Sequence, residues 1–234
     1  MKGLEIHLKG TLMSINKFAV SVALAGILGA SSALAETDGA FVGVQAGYGG
    51  HKFTLEHSGG SIDINGLGSF RYGILAGYKQ FFTPEFGLRY YGLLDYGTSN
   101  KKGKDSNLGA DVQVSALNVN ANVDALYNFV SNESLDFGAF AGLSLGYASA
   151  SVKTPDADNL EKDTPAGFDF GINFGLRANI AQNHGVELYS RFGLFETKKD
   201  ITRTIVDEGA TKTLNQTYKT SQPYAVGLRY SFSF

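Results

Sequence analysis

The last eleven residues constrain this chain most. Tyr224, Val226, Leu228, Tyr230, Phe232 and Phe234 take one set of alternate positions, and Ala225, Gly227, Arg229, Ser231 and Ser233 take the other. A period of two belongs to a strand with one apolar and one polar face, whereas a helix returns its apolar residues at three and four. The pattern recurs over 168–180, where Phe168, Phe170, Ile172, Phe174, Leu176, Ala178 and Ile180 alternate with Asp169, Gly171, Asn173, Gly175, Arg177 and Asn179. It recurs again over 117–129, and in weaker form over 42–48, 70–78, 88–96, 137–147 and 186–194. No comparable 3.6-residue period exists. The reading is an all-β chain of eight strands.

Three connections between these strands are short, near Thr83-Pro84-Glu85, Ser131–Ser134 and Ala181–His184. Four are long and polar, near 50–68, 98–111, 152–167 and 197–221. Short turns at one end and long loops at the other describe an antiparallel up-and-down meander. An even number of strands puts both termini at the short-turn end. Pro84, Pro155, Pro165 and Pro223 are all expected in a connection or at a strand's first residues, where no ladder hydrogen bond is lost.

Alternation alone does not say which face points outward; volume does. An eight-stranded barrel has an interior just wide enough for side chains to fill. Its large apolar groups would overfill that space, while Gly, Ser, Asn and a few charges fit it. The chain has 30 Gly and only four Pro, so its glycine serves ordered structure. The apolar face must therefore meet lipid, and a closed barrel leaves no unpaired backbone there. Strands of about ten residues suffice for a tilted crossing. Tyr48, Tyr72, Tyr78, Tyr90, Tyr96, Tyr127, Tyr147, Tyr224 and Tyr230 share the outward parity, as interfacial girdles require.

Ahead of the strands lies one apolar run, Phe18 to Ala30, of 13 residues. It is too short for a membrane helix but suits the core of a secretory signal. Lys17 precedes it, and Ala33-Leu34-Ala35 supplies a small-x-small cleavage pattern. Residues 1–35 are read as an export signal, with 1–12 a possible extension upstream of a start at Met13, and 36–234 as the barrel. The absence of Cys excludes disulfides, thiolate metal sites and a lipoprotein anchor. A net charge of −2 argues against nucleic acid as a partner.

The ending GLRYSFSF (227–234) resembles the C-terminal signature of bacterial outer-membrane barrels. With FVGVQAGY (41–48) and FGLRYYGLLDYG (86–97), the chain more narrowly resembles the Helicobacter-type outer-membrane protein family. The resemblance implies the bacterial outer membrane as location. It also implies the outer-membrane assembly machinery as a partner, recognising Leu228, Tyr230, Phe232 and Phe234. The family's large adhesins carry an inserted extracellular domain that no loop here could hold, so adhesin function does not follow.

Parity places Arg71, Lys79, Arg89, Arg177, Arg191 and Arg229 in the lumen with Asp95, Asp124, Asp169 and Glu187. Interior charges must pair or cost several kcal/mol each. Arg177 should meet Glu187 across the tight turn at 181–184, and Arg71 should meet Asp95 across the Pro84 turn. Such pairs would plug the lumen; the alternative is a narrow ion or small-solute channel gated by them. A lipid-acting enzyme needs a nucleophile beside a base. His51 and His57 are read as loop residues and His184 as a turn residue, so no ordered hydroxyl–imidazole pair is expected. No cofactor or metal is called for, and exposed loop histidines are usually solvated. The loops contribute a basic stretch, Lys101, Lys102 and Lys104, facing lipopolysaccharide phosphates. An acidic stretch follows at Asp156, Asp158, Glu161 and Asp163, and the loops as a whole offer a surface for a host or matrix ligand. The chain is thus read as a non-enzymatic, porin-like barrel with a structural or adhesion role.

Overall fold

The computed structural model describes residues 36–57, 60–101, 112–153, 165–207 and 210–234. The leader and much of the basic and acidic loop stretches lie outside them. The described chain is β1 (Gly39–His57), β2 (Gly60–Phe81), β3 (Phe86–Lys101), β4 (Val112–Ser131), β5 (Leu135–Lys153), β6 (Ala166–Ile180), β7 (His184–Gly193), β8 (Thr197–Asp207) and β9 (Ala210–Ser233). Each pairs antiparallel with the next around the sheet. β9 returns to β1 from Phe41↔Ser233 to Gly50↔Tyr224, which closes the barrel.

Nine strands make eight staves, because β7 and β8 are two parts of the seventh. Both pair with β9, and the ladder lapses between Arg191↔Ala225 and Thr197↔Thr220. Pro223 lies in that interval, where its missing N–H breaks nothing. It is therefore not at a strand's start but within β9, opposite the interruption in its neighbour.

The strands run longer than a bilayer crossing needs. The segments expected as loops at 50–68 and 197–221 are hairpins: β1 and β2 stay paired out to His57↔Gly60, across a register shift between His51 and Phe53, and β8 and β9 stay in register out to Asp207↔Ala210. Nor are 98–111 and 152–167 loops throughout, since β3 reaches Lys101, β4 begins at Val112, β5 reaches Lys153 and β6 begins at Ala166. Polar composition marks water on both faces of a strand as readily as it marks a loop. These extensions lie at the end opposite the three short turns.

Outward positions in the barrel wall are apolar and exposed, Val44, Ile74, Leu94, Val119, Leu145, Phe174, Leu188 and Leu228 among them. Inward positions are mostly polar or small, with two buried apolar clusters among them, Phe41–Leu75–Tyr91–Leu93 and Leu126–Phe140–Tyr189. Gly47 and Gly227 pair across the β1–β9 seam. A Cβ on Gly47 would stand 2.7 Å from Tyr189 Oη, and one on Gly227 2.9 Å from Tyr189 Cε1. Glycine at this seam makes room for an inward tyrosine.

The charged lumen as candidate functional site

Twelve charged side chains line the lumen among the described residues, in three tiers of two cations and two carboxylates. Ten are those that parity assigns there; the other two are Glu36 and Asp136. With them the tiers are formally neutral.

The inner tier, at the short-turn end, holds Lys79, Arg177, Glu36 and Asp136. Glu36 precedes β1 and is 2% exposed. Arg177 donates to both its oxygens at 2.7 Å, and Lys79 Nζ donates to Oε1 at 2.8 Å. Burial pushes the Glu36 carboxyl up, but Arg177 and Lys79 outweigh it and leave the group below its usual range. Asp136 accepts from Ser131 Oγ at 2.5 Å and Asn179 Nδ2 at 3.3 Å.

The middle tier is Arg89, Arg229, Asp124 and Glu187. Arg89 donates to Glu187 and, at 2.7 Å, to Asp124. Arg229 donates to the other Glu187 oxygen at 3.1 Å and to Gln45 Oε1 at 3.0 Å. Aromatic shelves enclose these guanidiniums: Arg89 lies 4.9 Å from the Phe140 ring centroid, and Arg229 5.0 Å from that of Tyr91.

The outer tier is Arg71, Arg191, Asp95 and Asp169. Arg71 pairs with Asp95, which also accepts from Gln45 Nε2 at 2.9 Å and so joins the two upper tiers. Arg191 donates to Asp169 at 2.7 Å and to Ser144 Oγ at 3.1 Å. Asn118 and Gln222 exchange amide hydrogen bonds of 2.9 and 3.0 Å. A void of about 20 Å³ lies between Tyr189, Asn120 and these groups. It is room for one or two waters by the usual minimum of about 10–15 Å³ each.

Every tier contains a bridge between opposite walls of the eight-stave ring. Glu36 joins β2 to β6, Arg89–Glu187 joins β3 to β7, and Asn118–Gln222 joins β4 to β9. In a lumen this narrow a long side chain reaches the far wall as easily as its neighbour. Hence Arg71 meets Asp95 on the adjacent stave, but Arg177 does not bond Glu187. The two are register partners, yet Arg177 turns to Glu36, and Glu187 crosses to Arg89.

Two hydroxyl–imidazole pairs are present, against expectation. His51 continues β1 at lumen parity, its Nε2 3.1 Å from Ser69 Oγ. His184 Nδ1 lies 2.8 Å from the Tyr230 hydroxyl at the short-turn rim. In the first, Ser69 is fully enclosed and His51 Nδ1 has no hydrogen-bond partner among the described residues. In the second, the hydroxyl is a phenol on the outer face. His57 ends β1.

An apolar belt facing outward, a closed ladder and a polar, filled interior define a transmembrane β-barrel of the bacterial outer membrane. The chain belongs to the Helicobacter outer membrane protein family, whose model matches residues 73–234. No curated protein matches it. Among solved structures it is similar to Neisserial surface protein A, at 18% identity over 83% of this chain and 98% of that one, with a TM-score of 0.39. It is similar to OprG from Pseudomonas aeruginosa at 11% identity, over 86% and 98%, with a TM-score of 0.47. A third is Ail of Yersinia pestis, in complex with the heparin analogue sucrose octasulfate, at 12% identity over 83% and 99%, with a TM-score of 0.38.

Proposed function

We propose that this barrel does not conduct, and that its role is structural or one of surface interaction through the strands beyond the membrane. The observation that carries this reading is the stack of three neutral, wall-to-wall tiers. An ion entering would have to displace paired charges in each, at several kcal/mol per separated partner. The void beside the outer tier, about 20 Å³, has room for water but not for a hydrated ion. A narrow channel is the alternative, and planar-bilayer recording of the purified protein separates the two. Conductance steps in the native barrel would overturn the plug.

We read the chain as non-enzymatic, since Ser69 is shielded and no acid orients His51 among the described residues. The projecting β1–β2 and β8–β9 hairpins support a surface role, because binding groups on a rigid scaffold hold their geometry. Their partners would be lipopolysaccharide headgroups and a host or matrix ligand. Deleting 198–220 and finding unchanged cell adherence would count against the latter. Export would use residues 1–35 as the signal. Insertion would use the terminal strand, where Leu228, Tyr230, Phe232 and Phe234 share the outward parity and would face the assembly machinery.

A further inference from the structure

Eleven of the twelve lumen charges stand on strands, and all of these but Asp169 are flanked by ladder partners on both sides. The twelfth does not. Residues 36–38 have no regular structure and lead into β1 at Gly39. Among the described residues, the tether is held to the wall by the Phe81 amide, which donates to Asp38 Oδ1 at 2.6 Å. Glu36 can therefore leave its place without breaking the barrel wall, as no other lumen carboxylate can.

The place it occupies is built from the wall alone. Arg177 on β6 is fixed by its hydrogen bond to Asn128 Oδ1 at 2.9 Å and lies 5.8 Å from the Phe81 ring centroid. Lys79 approaches from β2 opposite, and Asn128 on β4 offers its amide to Glu36 Oε2 at 3.5 Å. We propose that Lys79, Arg177 and Asn128 form a carboxylate-binding site at the short-turn mouth, filled by the chain's own Glu36 as a tethered ligand. A bidentate guanidinium plus an ammonium is the arrangement that selects a carboxylate over a spherical anion.

Charge supports the same conclusion. Without Glu36, Lys79 and Arg177 share Asp136 as the tier's one carboxylate, and the tier carries a formal charge of +1. Two buried cations then demand an anion, and an acetate-sized molecule matches the Glu36 carboxyl. In the native chain the short tether keeps the local concentration of Glu36 high, so a free carboxylate competes poorly. The site stands whether or not the lumen conducts.

The test uses the full-length barrel extracted from outer membranes, with Glu36→Ala. Its unfolding midpoint should fall by about 10 °C. Sodium acetate should restore most of that loss, while sodium chloride and acetamide at matched ionic strength and concentration should not. Adding Arg177→Gln should abolish the acetate response. If Glu36→Ala refolds too poorly to melt, refolding yield with acetate against chloride reads the same effect, and Glu36→Gln provides a variant of unchanged shape. An unchanged midpoint, or equal responses to acetate and chloride in either measurement, would overturn the site.

Discussion

Glu187→Ala tests whether the tiers hold the barrel's opposite walls together. Glu187 accepts from Arg89 and, at 3.1 Å, from Arg229, and all three side chains are nearly inaccessible. After truncation Arg89 keeps Asp124 at 2.7 Å. Arg229 keeps only Gln45, a neutral acceptor. Leaving one buried guanidinium without a counter-charge costs about 3–5 kcal/mol. For a chain of this size, about 2–4 °C of melting midpoint accompanies each kcal/mol, so the fall should be about 6–20 °C. Pairing the change with Arg229→Met restores neutrality, because Arg89 and Asp124 still match. Replacing a whole buried ion pair by apolar groups is often close to neutral, so the double variant should recover more than half of the loss. Urea titration in lipid vesicles, followed by tyrosine fluorescence, measures both. A single variant within about 1 kcal/mol of the native protein, or a double variant no better than the single, would show that packing, not charge, carries the middle tier.

The inner tier sets a pH dependence. The folded Glu36 carboxyl titrates below its reference value of 4.5, so its contribution is complete above that pH and is lost as pH falls through the lower folded value. Melting midpoints should therefore change little between pH 7 and 5 and drop more steeply for native protein than for Glu36→Gln below about 4.5. At the β6–β7 turn, Ala181 and Gln182 take positive φ angles of 50° and 62°, a region that costs an L-residue about 1–2 kcal/mol. Gln182→Gly should raise stability by about 1 kcal/mol in the same urea assay. Gly47→Val should lower it by about 2 kcal/mol or more, since even its Cβ would press on Tyr189 and on the β9 backbone. Phe234 is 72% exposed, so Phe234→Ser should leave detergent refolding unchanged while reducing the amount recovered in outer membranes, read by fractionation and immunoblot.

The two-residue period carried most of the fold because in a closed barrel one rule, side-chain parity, decides burial for every residue at once. It gave ten charged residues an inward parity without any knowledge of register. It could not place His51, because polar residues after Gly50 ended the apolar alternation and made a continuing strand look like a loop. It also paired Arg177 with Glu187 on neighbour logic, where lumen width lets side chains choose partners on the far wall.

Glu36 was hidden for a different reason, since parity says nothing about a residue that is on no strand. A signal was present all the same. Six cations against four carboxylates leave an excess of two in a space where charges must pair, so the lumen read from parity alone was two acids short. Asp136 is one step beyond the weak 137–147 alternation, at its inward parity. Once it is admitted, a single carboxylate is still missing, and it must come from outside the eight alternating segments and reach the short-turn end where Lys79 and Arg177 lie. Glu36, Glu85 and Glu133 are the acids at that end other than Asp38, and the two latter belong to turns that face water. Charge neutrality inside a narrow barrel thus works as a counting rule that complements parity, and it points to the lumen charge that stands on no strand.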